Sequence, residues 1–210
     1  MDEKKYLKIV SHYESCLERY GDTHLGVDWP SQDDVSKRYR VMLEVIKQDP
    51  KDDKVSLLDF GCGAAHLNEH IIRHSLGNIE YAGLDLSEKF VSLSQNKFPA
   101  NKFFCLDLLE QNDSLPTFDY IVLNGVFTEK RELSFDEMLS YFKQLLTQVF
   151  AHAEIGIAFN VMAKHVDWER DDLFHLPFDT LAQFLKNHLT RNFVFRSDYG
   201  LYEYTTYVYH

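Results

Sequence analysis

Apolar positions recur at helical spacing where the chain begins. Tyr6, Val10, Tyr13, Leu17 and Tyr20 step by four and three, forming one face of a helix that Gly21 closes. After the stretch GDTHLGVDWP (21–30), Ser31 and Asp34 resemble a capping box with Asp in place of Glu. A second helix is predicted there, with Val35, Tyr39, Met42, Leu43 and Ile46 on one face and QDP (48–50) as its stop. From Val55 the rhythm changes. The short runs VSLLDF, IEYAGLD, KFFCLD, FDYIVLN and EIGIAFN read as strands, and helical segments are predicted over about 64–76, 87–97 and 135–150. A further helix near 178–188 precedes two β-rich stretches, RNFVFRS and LYEYTTYVYH, with only DYG between them. Strands alternating with helices predict a parallel sheet covered on both faces, and the short last connection predicts an antiparallel hairpin.

The 210 residues suit one domain, with no internal repeat, low-complexity tract or linker. Lys and Arg number 22 against 33 Asp and Glu, a net charge of −11. With no basic run, the counterion-releasing contacts of nucleic-acid binding are missing, so no nucleic-acid partner is expected. Cys16, Cys62 and Cys105 form no CxxC pair, which fits a reducing compartment and neither a disulfide framework nor a structural zinc site. The N-terminal MDEKKYLKIV lacks a secretory apolar core. The most apolar region, 145–163, is interrupted by Gln148, His152 and Glu154. A cytoplasmic protein without a membrane span is expected; its oligomeric state is not legible.

Candidate chemistry begins at LLDFGCGAAH, where Gly61 and Gly63 sit between the first strand and the next helix. Glycine permits the tight turn and lets a ligand approach the backbone, while the helix N-terminus offers unpaired N–H groups. His66 stands where a dinucleotide site would want its third glycine. Asp85 ends the second strand, 22 residues beyond Gly63, where a carboxylate can accept from both hydroxyls of a ribose. Asp107 ends the third strand, within reach of an adenine amino group, and Asp59 precedes the turn, able to brace it or to face a cation.

This set resembles the class I S-adenosylmethionine-dependent methyltransferases, by motif over roughly 55–125 and by element order elsewhere. The resemblance implies an α/β fold: a single Rossmann-like, seven-stranded, mostly parallel sheet with a C-terminal antiparallel hairpin strand. The domain would span 1–210, with an N-terminal helical lid over 1–50 and the cofactor-binding core over 51–210. It also implies S-adenosyl-L-methionine as cofactor, with Asp59, Gly61 and Gly63 around the methionine portion and Asp85 at the ribose. Leu86 would pack beside the adenine, Asp107 and Leu108 would hold its edge, and Asn124 would stand where cofactor meets acceptor. Arg38, on the second helix, could reach the methionine carboxylate; a surface salt bridge explains it equally well. Two features depart from the family pattern: its usual third glycine is Ala65, and the Pro-Pro-aromatic signature of many amino-group methyltransferases is missing after the fourth strand.

An acceptor would bind beyond the carboxyl ends of the strands, near Asn160. The long connection after it, VMAKHVDWERDDLFHLP, holds His165, Asp167 and Trp168. Val-Asp-Trp recurs at 27–29 and 166–168, the positions of the only two Trp residues. Trp29 and Val27 would exclude water under a lid, and Trp168 would close the pocket from the other side; equally, both Trp residues could pin long loops to the core. Tyr13 is a candidate pocket-lining group or a core residue. A hydroxyl acceptor must lose a proton, for which His165 is the first candidate, followed by Asp167, His24 and Asp28. A site without a dedicated base is the alternative. His66, His70 and His74 recur along one helix, but the segment's only acidic residue, Glu69, lies on another face, so no metal site is assigned.

The N-terminal pattern YGDTHLGVDWPSQDDVSKRYRVML also resembles small bacterial methyltransferases of surface-polysaccharide or secondary-metabolite pathways. The expected acceptor is therefore a small molecule, methylated on the hydroxyl oxygen of a sugar or related metabolite. Carboxyl or nitrogen methylation, a non-catalytic S-adenosylmethionine-binding protein and a nicotinamide dehydrogenase are the alternatives.

Overall fold

A computed structural model describes residues 4–47, 54–111 and 115–210. In chain order the elements are α1 (Leu7–Tyr20), α2 (Gln32–Leu43), β1 (Val55–Phe60), α3 (His66–His74), β2 (Ile79–Asp85), α4 (Glu88–Lys97) and β3 (Lys102–Cys105). There follow β4 (Phe118–Leu123), α5 (Phe135–Ala151), β5 (Ala153–Ala163), β6 (His175–Leu176), α6 (Phe178–His188), β7 (Phe193–Arg196) and β8 (Glu203–Tyr209).

The sheet runs β3-β2-β1-β4-β5-β8-β7, parallel from β3 to β5 and antiparallel across β5–β8 and β8–β7. These are the seven strands expected. An eighth, the two-residue β6, pairs with the end of β5 off this path, which a run of two residues in a long connection could not announce. β5 also runs on to Ala163, so the connection after it is shorter than the sequence suggests. β3 stops at Cys105, leaving Asp107 in the loop beyond it. α2 ends at Leu43, before Ile46; the proposed QDP stop and the 50/51 boundary lie outside the described residues.

The period-two alternation of the strands divides the core between the sheet's two faces. Leu58, Ile121 and Phe159 join Phe127, Phe142, Phe174 and Phe184 on one face, against α5 and α6. Leu57, Tyr120, Val122 and Ala158 join Val35, Met42, Leu67 and Ile71 on the other, against α2 and α3. Serine caps start α2, α4 and α5. Ser31 accepts from Asp34 N, the forward half of the expected box, and Ser134 with Glu137 completes a reciprocal box on α5.

α1 is held differently. Tyr6 just before it, and Ile9 and Cys16 within it, are its buried apolar residues, and its outer face is strapped by exposed ion pairs. Lys5 meets Glu137, Lys8 meets Glu132, and Lys89 bridges Glu14 and Glu18. Each such pair contributes roughly 0–1 kcal/mol. Among the described residues no helix is long and apolar enough to cross a membrane.

Candidate active site

Beyond the carboxyl ends of β1, β2 and β4 lies a cavity of about 130 Å³, with the glycine turn on one wall and α1 with the 21–30 loop on another. The turn needs its glycines. Gly61 and Gly63 have φ of 73° and 51°, and a Cβ on Gly61 would sit 2.6 Å from Val126 Cγ2. Gly61 N and Cys62 N donate to Leu84 O at 2.7 and 2.9 Å, which fixes the turn on β2. Ala65, in place of the family's third glycine, is also left-handed at φ 55°, a conformation that costs a residue with a Cβ roughly 1–2 kcal/mol. α3 consequently starts at His66.

Asp59 and Asp85 both line the cavity. Asp59 is 4% exposed and accepts from Tyr81 Oη at 2.8 Å. Burial pushes its carboxyl up to about 7, against the lowering effect of the Tyr81 bond, and the charge of Asp85 adds to the rise. A buried carboxyl with that tendency fits a site that receives a cation. Asp85 accepts from Gly63 N and Ser87 N, both at 2.9 Å, and burial raises its carboxyl despite these bonds. The Leu86 backbone N–H acts on it as well, leaving lone-pair capacity for a ribose hydroxyl. At the other end Asn124 Oδ1 is buried without a hydrogen-bond partner, and Asn124 lines the cavity. An orphaned acceptor of this kind is satisfied by a donor on a ligand.

Asp107 is one step removed from the cavity. Its carboxylate accepts from Tyr6 Oη at 2.5 Å and from Leu109 N at 3.1 Å. Tyr6 is the lining residue there, its ring 4.9 Å from that of Tyr141 and nearly parallel to it. Leu86 lines the cavity; Leu108 is 1% exposed in the core behind it. In the sequence Tyr6 is simply one apolar position of the first helix, and nothing local singles it out.

α1 and the 21–30 loop roof the cavity with Ile9, Val10, Tyr13, Val27 and Trp29. Asp28 turns away in a left-handed conformation, φ 57°, and meets His12 Nε2 at 2.8 Å. His24 Nδ1 is held by Trp29 O at 2.6 Å. Neither lines the cavity. Tyr13 does, with its hydroxyl hydrogen-bonded to Thr128 and near the charges of Glu129 and Asp28. Burial raises the Glu129 carboxyl as well. His12 is missed by sequence reading because it lies on the polar side of α1 and gains meaning only from Asp28, sixteen residues on.

The long loop after β5 contributes less than expected. His165 is exposed and stacks on Phe178 with ring centroids 5.7 Å apart, Asp167 is exposed, and Trp168 is 68% exposed. None lines the cavity. The extension of β5 to Ala163 carries them past its rim. Backbone bonds from Lys130 N and Arg131 N to Asp172 O, and from Phe174 N to Thr128 O, tie this loop to the one after β4. Arg38 takes the ion-pair alternative, buried rather than at the surface, and Asn160 is placed otherwise than expected. The Arg38 guanidinium pairs with Glu203 through Nε at 3.0 and 2.8 Å, and Asn160 is fully buried, giving Nδ2 to Glu203 Oε1 at 3.0 Å. Glu203 is another residue the sequence does not single out; its one signal is a lone charge in an otherwise uncharged final strand.

A glycine turn, a carboxylate at the second strand end, a buried carboxyl suited to a cation and an orphaned amide oxygen together define a site for a nucleoside-bearing, positively charged cofactor. The comparisons give that class its family. Residues 58–148 match the description of a methyltransferase domain. A Mycobacterium tuberculosis protein named "Putative methyltransferase Rv1506c" is 26% identical over 158 residues, 73% of this chain and 92% of its own. The magnesium protoporphyrin IX methyltransferase of Synechocystis PCC 6803 with bound SAH shares the fold at a TM-score of 0.67 and 16% identity, over 99% of this chain and 100% of that one. A SAM-dependent methyltransferase of Leishmania major shares it at 0.65 and 14%, over 98% and 83%. The chain is similar to the S-adenosylmethionine-dependent methyltransferases in fold and over its methyltransferase domain, which makes it an S-adenosylmethionine-dependent methyltransferase with S-adenosyl-L-methionine as cofactor.

Proposed function

We propose that the chain methylates a hydroxyl oxygen of a neutral small molecule, such as a sugar or related metabolite. S-adenosylmethionine supplies the electrophilic methyl group. Asp85 would hold the ribose hydroxyls, Asp59 would balance the amino group of the methionine portion, and Asn124 Oδ1 would take a hydrogen bond from the cofactor or the acceptor. Tyr6 and Leu86 would flank the adenine, with Asp107 setting Tyr6. Tyr13 would orient the acceptor hydroxyl, whose proton would pass to solvent without a dedicated base. Val27 and Trp29, as parts of a lid, keep water out. Placing the nucleophile in line with the sulfonium is the larger part of the task.

The observation that carries the choice of acceptor is the lining of the cavity. Among the described residues that line it there is no Lys or Arg, and two carboxyls are present. A carboxylate acceptor would find no cationic partner in that lining, whereas a neutral hydroxyl would meet the Tyr13 hydroxyl. The N-terminal pattern supports a sugar or related metabolite. Turnover of S-adenosylmethionine with panels of neutral polyols, carboxylates and amines tests the proposal, read as S-adenosylhomocysteine formed. Activity with hydroxyl acceptors that drops in Tyr13→Phe at unchanged S-adenosylhomocysteine affinity is expected; activity confined to carboxylates or amines overturns it.

A further inference from the structure

A buried ion pair ties α2, which follows the roof's loop, to the sheet, and it belongs to a closed ring of contacts. Glu203, at the start of β8, is 1% exposed, and the Arg38 side chain paired with it is 12% exposed. Asn160 links the same carboxylate to the turn after β4: its Nδ2 donates to Glu203 Oε1, and its Oδ1 accepts from Gly125 N at 2.8 Å. Gly125 has φ 86°, and a Cβ there would lie 2.7 Å from Trp29 Cζ2. Trp29 closes the ring, since its indole lies against the Arg38 guanidinium at 4.1 Å.

A buried ion pair yields little net stability over well-packed apolar residues of the same size. One embedded in a strand of Tyr, Thr and Val therefore calls for a reason other than stability. This one sits behind the stretch of cavity wall made by Asn124, Gly125 and Trp29. Gly125 follows Asn124, which lines the cavity and whose buried Oδ1 has no hydrogen-bond partner, and Trp29 is part of the roof.

We propose that Glu203 is a positioning residue: through Arg38 and Asn160 it seats Trp29 against Gly125 and so fixes the wall between cofactor and acceptor. Its role in turnover rests on the methyl-transfer reading above; its seating of Trp29 does not. The arrangement also divides labour in the roof. The exposed ion pairs of α1 are weak and salt-sensitive, whereas the planar Arg38 fork on a buried carboxylate has a single geometry that sets where the roof lands.

The chain's two Trp residues make the seating directly readable. In a Trp168→Phe background Trp29 is the sole indole. Glu203→Gln in that background should shift Trp29 emission to the red and raise acrylamide quenching about twofold, with far-ultraviolet circular dichroism unchanged. In the same variant kcat should fall at least tenfold while KM for the acceptor changes by less. Should Glu203→Gln not fold, Arg38→Lys, which keeps the charge and loses the fork, is read in its place with the same expected shift. Trp29 emission and quenching unmoved in a folded variant overturn the proposal. They are measured without cofactor, so a chain with a responsive Trp29 that fails to bind S-adenosylhomocysteine refutes the methyl-transfer reading alone.

Discussion

Asp59 offers the sharpest test of the site's electrostatics. Its carboxyl is fully buried at the base of the glycine turn and is pushed from 3.8 to about 7, first by burial. At about 1.4 kcal/mol per pH unit, that difference amounts to about 4 kcal/mol. Between about pH 4 and 7 the unfolded carboxyl is ionised and the folded one is not. The folded state then binds the extra proton, so the stability of the cofactor-free chain falls as pH rises through that window. At pH 8 the loss is complete. Asp59→Asn keeps an oxygen to accept from Tyr81 and removes the ionisation, but its new amide NH2 lacks a partner at a cost of roughly 1–3 kcal/mol. The expected net gain at pH 8 is about 1–3 kcal/mol, or roughly 2–4 °C in Tm per kcal/mol for a chain of this size, with a flatter profile between pH 5 and 8. A cationic ligand reverses the preference. S-adenosylhomocysteine binding below pH 7 should release a proton, weaken by up to about tenfold per pH unit as pH falls, and lose this dependence in Asp59→Asn. Denaturant melts across pH, with calorimetry in buffers of different ionisation enthalpy, decide it. A variant no more stable at pH 8, with the parental pH slope, refutes the reasoning.

Other substitutions probe separate walls of the site. Asp85→Ala removes the acceptor assigned to the ribose, and calorimetry should show S-adenosylhomocysteine bound about 10–100-fold more weakly, since each hydrogen bond to a charged group contributes roughly 1.5–3 kcal/mol; unchanged affinity rejects that role. Gly125→Ala should lower stability by about 1–2 kcal/mol in a thermal melt, because its left-handed backbone and its contact with Trp29 both oppose a Cβ. His165→Ala should keep S-adenosylhomocysteine formation within about twofold of the parent, as expected for an exposed residue beyond the cavity rim. A larger loss would return His165 to the reacting centre.

Much of this protein was readable along the chain because local chemistry records it. The alternation of strands and helices, the cap at Ser31, and the turn at Gly61 and Gly63 depend on residues a few positions apart. Asp59 and Asp85 were found the same way, since strand ends in a parallel sheet deliver their side chains to one edge. Residue types also pointed to Trp29 and Tyr13 as candidates for the roof, without saying which candidates would turn inward.

Only the tertiary structure decided that. Asp28 was spent on His12, Arg38 on Glu203 165 positions away, and Asn160 on both Glu203 and Gly125. The His165–Trp168 loop was carried past the rim by a strand longer than its apolar run implied. A polar side chain in a sequence carries its capacity for hydrogen bonds but not its partner. The partner is set by strand order and register, which bring β8 beside β5 and α2 over both, and those pairings leave no trace in the spacing of neighbouring residues.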